Sequence, residues 1–130
     1  MIGRWLGPWH EYGYAALRIV AAVLYLLHGT KKLVGFPAGP HTGDPLLVVA
    51  ALIEIVTGIL VAAGLFTREA AFLASGEMAV AYFTVHAPRS FWPIVSRGEL
   101  PVLFCFIFLY VACRGAGPLS VDARFRRVDS

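Results

Sequence analysis

YAALRIVAAVLYLLHGTKKLVGF, residues 14–36, is long and apolar enough to cross a lipid bilayer, yet it carries several basic side chains. As a helix it spans roughly 33 Å, against a hydrocarbon core about 30 Å thick. A charged side chain that faces lipid costs at least about 2.5–3.5 kcal/mol. One face of the helix collects a polar seam, which consists of Arg18, Tyr25, His28, Gly29 and Lys32. The stretch therefore predicts a membrane helix whose seam turns towards other helices.

Composition extends this prediction to the whole chain. Of the 130 residues, 58% are hydrophobic and 15% are charged, whereas a soluble domain has about 45–50% apolar and about 25% charged residues. Because the apolar residues fall in long runs, we predict an integral membrane protein with a single domain, residues 1–130. The formal net charge of +3 suits contact with anionic lipid headgroups, and the chain has no nucleic-acid motif, so no nucleic-acid partner is expected.

Three further apolar runs follow the first. A proline- and glycine-rich loop at 36–45 and a short turn at 66–69 separate the first three runs. The segment 87–99, with its two prolines, is expected to lie in the membrane interface. The predicted fold is all-α: an integral membrane four-helix bundle, antiparallel up-down-up-down, with that interfacial segment between helices 3 and 4. The predicted spans cover about residues 14–36, 45–65, 68–87 and 99–114, and a polar tail occupies 115–130.

The chain ends and the loops predict the topology. Four spans place both termini on one side, and arginines outside the spans are more numerous on that side, which favours cytoplasmic termini. The N-terminal segment MIGRWLGPWHEYGY lacks the continuous apolar core of a signal peptide and is typical of an interfacial collar. We therefore predict a multi-pass protein of the inner (cytoplasmic) membrane.

The second and third runs each carry one acid near mid-depth, Glu54 and Glu77. An ionisable residue inside a membrane is a functional hypothesis by default, because something must offset its cost. The least costly arrangement is structural ion pairing across helices, for which the candidates are Arg18, Lys32 and Glu99. In the alternative arrangement the glutamates are protonated, since burial disfavours a charged carboxylate. A purely structural interpretation, in which the pairs only fix helix register, also stays open.

Three functional interpretations of the inward polar residues also stay open. A quinone site needs hydrogen-bond donors, a protonatable group and an apolar slot, for which the candidates are His28, Glu54, Glu77, Tyr25 and Tyr82. Ligation of a metal or haem by His28 and His86 is weaker, because no Glu-x-x-His pair is present, and we otherwise predict no metal site. Transport of a proton or small solute along the seam would require an oligomer, because four short helices make a thin wall.

Several motifs, in order, resemble the DoxX family. The family's first-helix signature resembles LRIVAAVLYLLHGTKKLVGF at 17–36, and EIVTGILVAAGLFTREAAFLASGEMAVAYF at 54–83 resembles its next two helices. HAPRSFWPIVSRGELPVLFCFIFLY at 86–110 and GPLSVD at 117–122 resemble the connection and the closing motif that follow. The resemblance covers about residues 14–122. Arg97 departs from it, since many relatives have a small residue before the Gly-Glu pair.

This resemblance implies a four-helix inner-membrane protein. Family members have been linked to thiosulfate:quinone oxidoreductase, as its small membrane subunit, and to membrane-associated oxidoreductase complexes. We therefore predict the membrane subunit of a redox complex that meets the quinone pool. Its expected cofactor is a quinone, and its expected partners are the lipid bilayer and a protein partner or a second copy. No flavin, haem c or iron–sulfur motif is visible, so electrons would come from the partner. The alternatives are a non-catalytic membrane adaptor for a larger complex, and small-solute or proton transport as an oligomer.

Overall fold

The computed structural model describes residues 1–35 and 45–126, and it is helical throughout, with no strand in those two ranges. This confirms the all-α prediction. The loop predicted at 36–45 lies outside the described residues except for Pro45. The elements are α1 (Ile2–Leu6), a 3-10 turn (Gly7–Trp9), α2 (His10–Val34), α3 (Pro45–Ala63), α4 (Thr67–Ala81), a π-helical turn (Tyr82–His86), α5 (Pro93–Ser96), α6 (Glu99–Arg114) and α7 (Val121–Arg126).

Two helical segments are long and apolar enough to cross a membrane. One is the continuous run Ile2–Val34, which joins α1, the 3-10 turn and α2, and the other is α3. The third and fourth predicted spans correspond to α4 with the π-helical turn and to α6, which have 15, 5 and 16 residues. By length and composition, the structure therefore shows a protein with membrane-capable helices.

The helices pack in pairs, α2 against α3 and α4 against α6, and α3 contacts α4. Small residues allow close approach between α2 and α3. A Cβ atom on Gly29 would lie 2.9 Å from the Ala51 carbonyl oxygen, and one on Gly58 would lie 3.0 Å from Cβ of Leu26. Many large apolar side chains point outward, as expected of a lipid-facing surface. Examples on three helices are Val20, Leu24, Val56, Ile59, Phe72 and Leu73.

Arg18 is completely buried where α2 meets the end of α3. Its guanidinium donates to the carbonyls of Val61 at 3.1 Å and Leu119 at 2.7 Å, and it also contacts the carbonyl of Ala116. The last four carbonyls of a helix lack intrahelical partners, and a cation is favourable there. Arg18 was a candidate for ion pairing with an acid on another helix. Instead, its hydrogen bonds join two helices and the closing loop through main-chain oxygens.

The C-terminal segment, predicted only as a polar tail, contains a short helix that contacts the rest of the protein. It forms α7, and the Asp122 carboxylate accepts hydrogen bonds from the Phe66 and Thr67 amides at 3.1 and 2.9 Å. It also accepts one from the Thr67 hydroxyl at 2.8 Å. These amides lie at the start of α4, where a helix leaves donors unsatisfied. The tail therefore caps α4.

Arg68 performs the complementary role at the end of α6. Its guanidinium donates to the carbonyls of Ala112, Cys113 and Arg114 at 3.1, 2.6 and 3.2 Å. The start of α2 reaches the same place, because the Tyr14 hydroxyl donates to the Gly115 carbonyl at 2.6 Å. At this end of the molecule, side-chain hydrogen bonds to main-chain groups therefore hold α2, α4, α6 and the C-terminal segment together.

Candidate functional site

An ion pair between α2 and α3 lies at the other end of the seam. Lys32 Nζ contacts Glu54 Oε2, and the Glu54 side chain is completely buried while that of Lys32 is 29% exposed. Gly29, which precedes Lys32 by three positions, allows α2 to approach Ala51 and Glu54 closely. A buried carboxylate without a partner is strongly unfavourable, so Glu54 depends on Lys32 at this helix contact.

A second acid, Glu77 on α4, lies beside this pair. It lies close enough to Glu54 and Lys32 for their charges to interact. The hydroxyl of Tyr25 lies 3.4 Å from Glu77 Oε2. The Tyr25 ring is completely buried and makes edge contacts with Phe104 and Phe108, with ring centroids 5.8 and 4.9 Å apart. Three helices thus bring two acids, one lysine and one tyrosine together.

A cleft of about 600 Å³ opens beside these groups. Residues of α2, α3, α4, the π-helical turn and α6 line it, together with Arg97 between α5 and α6. Its volume lies within the range of about 300–1,000 Å³ that is typical of small-molecule sites. Most of its lining is apolar, and the polar members are His28, Lys32, Glu77, Thr84, His86 and Arg97. We call this space the cleft.

Both histidines named as weak metal candidates line the cleft. The His28 imidazole is exposed and meets the Phe104 ring edge-on at 5.8 Å. The His86 ring stacks on that of Tyr82 with centroids 6.3 Å apart. Within residues 1–35 and 45–126, no group of three or more His, Cys, Asp or Glu side chains is placed to hold a metal ion. The two imidazoles and Glu77 therefore line the same cleft without forming such a group.

The structure places the other sequence candidates differently. Glu54 and Tyr25 do not line the cleft but lie behind it, next to Glu77. Tyr82 points away, because its hydroxyl donates to the Phe91 carbonyl, and its ring lines a separate apolar groove of about 320 Å³. Glu99, expected in an ion pair, is exposed in the first turn of α6, and no cation of the described ranges lies within ion-pairing distance of it. An acid there is favourable because of the helix dipole.

Sequence reasoning did not propose Arg97 as a site residue. Its backbone has a positive φ of 63°, which turns the chain between α5 and α6 and places the residue at the cleft. The available signal was its departure from the family pattern before Gly98 and Glu99. A cation there adds a donor to the same polar end as Lys32 and His28.

The cleft combines an apolar slot with a polar end of mixed character. The lysine, arginine and imidazole groups donate hydrogen bonds, while Glu77 accepts them or, when protonated, donates. This arrangement suits a ligand with an apolar body and a head group that carries hydrogen-bond acceptors.

The sequence is similar to a known protein family and to two known proteins. A model of the DoxX family matches residues 13–87. An uncharacterised protein of Haemophilus influenzae is 45% identical over 128 residues, covering 92% of this chain and 96% of its own length. A Bacillus subtilis protein named "Putative oxidoreductase CatD" is 27% identical over 118 residues, covering 86% of each chain. No solved structure matches.

The family match confirms the resemblance found in the sequence motifs. It includes α2, α3, α4 and the π-helical turn, which contribute the two neighbouring acids and most of the cleft. The Haemophilus relative extends the similarity over nearly the whole chain. This chain, with its membrane-capable helices, belongs to the DoxX family.

Proposed function

We propose that this protein is the membrane subunit of a redox complex and that its cleft binds the head group of a quinone. The observation that carries the proposal is the cleft itself, an apolar slot of about 600 Å³ whose polar end collects side chains from several helices. A quinone ring is planar and apolar, and its two carbonyl oxygens accept hydrogen bonds. Lys32, His28 and Arg97 supply donors at that end.

The lining of the cleft supports access from the bilayer. Leu46 on α3 and Val80 on α4 line the cleft and remain 74% and 62% exposed. The mouth is therefore continuous with the apolar outer surface. A lipid-soluble ligand would enter it sideways without crossing water.

The membrane arrangement that we propose has four antiparallel spans, made by α2, α3, α4 with the π-helical turn, and α6. Contacts support it, because Arg18 near the start of α2 meets Val61 at the end of α3, and Tyr14 meets Gly115 after α6. The cleft lies at the opposite end of the same helices. With both termini cytoplasmic, it would open in the outer half of the inner membrane.

A redox role requires a partner that supplies or removes electrons. The name of the Bacillus subtilis relative refers to an oxidoreductase, which supports a role of this class. We propose that the partner is a protein subunit that carries its own redox cofactor. The protein described here would then position the quinone and exchange protons with it.

Direct binding tests the proposal. The full chain in lipid nanodiscs is titrated with a short-chain benzoquinone and, separately, with a naphthoquinone, and binding is followed by calorimetry. Replacing Ala81, a half-buried residue of the cleft lining, by Trp fills the slot and should weaken binding at least about tenfold, or about 1.4 kcal/mol. Leu73→Trp on the outward face of α4 is the matched control and should bind like wild type. The proposal would be refuted if both variants bound quinone equally well, or if the wild-type protein bound no quinone.

A non-catalytic adaptor is the second candidate, and one observation favours it. Arg18, Arg68 and Asp122, which lie in the resembling motifs, bind main-chain groups and so hold the fold together. An adaptor would need this scaffold but not the cleft. A complex that co-purifies with Ala81→Trp and keeps full redox turnover would support the adaptor.

A further inference from the structure

We propose that the apolar groove beside Tyr82 is a lipid site, which holds one acyl chain of an anionic phospholipid while Arg89 and Arg97 attract its head group. The groove is the space of about 320 Å³ between α4 with the π-helical turn, the segment that leads into α5, and α6. It is separate from the cleft, so this lipid site does not depend on quinone binding.

The groove is preformed and opens towards the surroundings of the helices. Tyr82, whose ring lines it, donates its hydroxyl hydrogen to the Phe91 carbonyl and so ties the segment before α5 to the π-helical turn. The described residues that line the groove present only apolar surface to it. Phe83 and Phe106 line it and remain 62% and 64% exposed. Water in such a groove would lack hydrogen-bond partners, whereas an acyl chain would bury apolar surface there.

The two ends of the groove differ in the way that a phospholipid requires. One end is formed by Phe91, Trp92 and Pro93, in the segment expected to lie in the membrane interface, where tryptophan side chains are favoured. The other end is formed by Cys105 and Phe106, more than one turn into α6. In the membrane arrangement proposed above, the groove therefore runs from the head-group level towards the middle of the bilayer. An acyl chain runs in the same direction.

Unpaired positive charge lies at the interfacial end. Arg89 precedes Phe91 by two positions, Arg97 directly follows α5, and both arginines are exposed. In the part of the chain that the structure describes, no acid lies within ion-pairing distance of either arginine. The segment 89–99 contains these two arginines and one acid, the exposed Glu99. Its net positive charge favours an anionic head group over a zwitterionic one.

The length of the groove favours a lipid over a second copy of this chain. On α6 the groove extends over residues 101–106, which is less than two helical turns. Part of an acyl chain fits that length. A transmembrane helix from another copy would need a longer contact and small residues along it for close approach.

Native mass spectrometry of the full chain tests the head-group preference. The protein in mild detergent is mixed with equal amounts of phosphatidylglycerol and phosphatidylcholine with the same acyl chains. Wild type should retain one phosphatidylglycerol at least about fivefold more often than phosphatidylcholine. Arg89→Gln should lower this preference about fivefold, which corresponds to the attraction of one basic residue for an anionic membrane surface. Arg4→Gln on the exposed α1, away from the groove, is the control and should keep the preference.

Two tryptophan substitutions on α4 test the acyl-chain contact. Ala79 and Ala81 are both half-buried, but Ala79 lines the groove and Ala81 lines the cleft. Ala79→Trp should lower retention of both lipids at least about tenfold, whereas Ala81→Trp should retain lipid like wild type. Arg89 is exposed, so the head-group measurement remains decisive even if Ala79→Trp folds poorly.

Three results would overturn the proposal. In the first, wild type retains the two lipids equally. In the second, Ala79→Trp retains as much lipid as Ala81→Trp. In the third, wild type is a dimer without bound lipid and Ala79→Trp makes it monomeric, which would assign the groove to a second copy of the chain.

Discussion

Arg18 Nε on α2 donates a hydrogen bond of 3.1 Å to the carbonyl of Val61 on α3, across 43 positions of the chain. The polar seam that begins with Arg18 therefore serves two purposes. At the Arg18 end it binds main-chain carbonyls and fastens helix ends. At the Lys32 end it forms an ion pair with Glu54, behind the cleft. The same face of α2 thus has a structural role at one end and lines the candidate binding site at the other.

Arg18→Lys should destabilise the protein even though the charge is kept. A lysine has one nitrogen in place of a planar fork, so it cannot reach the carbonyls of α3 and of the closing loop together. Each lost hydrogen bond to a charged group costs about 1.5–3 kcal/mol. Thermal unfolding in detergent measures the loss, and Arg4→Lys on the exposed α1 is the control. Equal melting temperatures for the two variants would contradict the role given to Arg18.

Asp122→Ala should release the tail from the first turn of α4. The carboxylate accepts hydrogen bonds from two amides and one hydroxyl there, and loss of such a cap costs about 0.5–2 kcal/mol. We expect faster tryptic cleavage after Arg124, measured by mass spectrometry over time. Asp122→Asn keeps one acceptor oxygen and should lie between wild type and Asp122→Ala. Identical cleavage rates for all three proteins would show that the cap does not hold the tail.

Two glycine-to-alanine substitutions should affect the free energy of unfolding differently. A Cβ atom on Gly29 would lie 2.9 Å from both the Ala51 carbonyl oxygen and Cβ of Glu54, so Gly29→Ala pushes α2 away from α3. Overpacking of this kind costs about 1–3 kcal/mol. A Cβ atom on Gly76 of α4 would have nothing within 4 Å, so Gly76→Ala should be neutral or gain up to about 1 kcal/mol. Thermal unfolding of the two variants under one condition checks the difference, and an equal loss in both would contradict the close α2–α3 contact.

Lys32→Met should destabilise the protein more than Glu54→Gln. Removing the lysine leaves the completely buried Glu54 without its cation, and breaking a buried pair costs about 3–5 kcal/mol. Removing Glu54 leaves Lys32 with Glu77 as a replacement partner. Chemical unfolding of both single variants and of the double variant Lys32→Met/Glu54→Gln measures the difference. A larger loss for Glu54→Gln than for Lys32→Met would show that Glu77 cannot replace Glu54.

The sequence predicted the helices better than the site. α2, α3, α4 and α6 fall on the apolar runs, because helix length and hydropathy are local properties. The acids of the second and third runs were recognised because a charge inside an apolar run is conspicuous. Arg97 was not proposed for the site, because its place at the cleft depends on a turn between two short elements.

The partners of each polar side chain were beyond the reach of the sequence. Arg18 and Lys32 lie on the same face of α2, but they are too far apart along the helix to belong to one site. Arg18 lies where α3 ends and exposes carbonyls, whereas Lys32 lies opposite the middle of α3 and meets Glu54. A helical wheel shows the direction of a side chain around the helix axis. It does not show which residue of a neighbouring helix lies at the same height along that axis.

Two conclusions follow from the sequence alone: the chain is helical, and it belongs to the DoxX family. They rest on composition, on spacing and on motifs in order, all of which are read along the chain. Helix packing was needed to show that Arg18 binds carbonyls, that Tyr82 turns away from the cleft, and that Lys32 pairs with Glu54. Those results depend on how far each helix is shifted along its neighbours, which is fixed by the packing of small residues such as Gly29 and Gly58 between them.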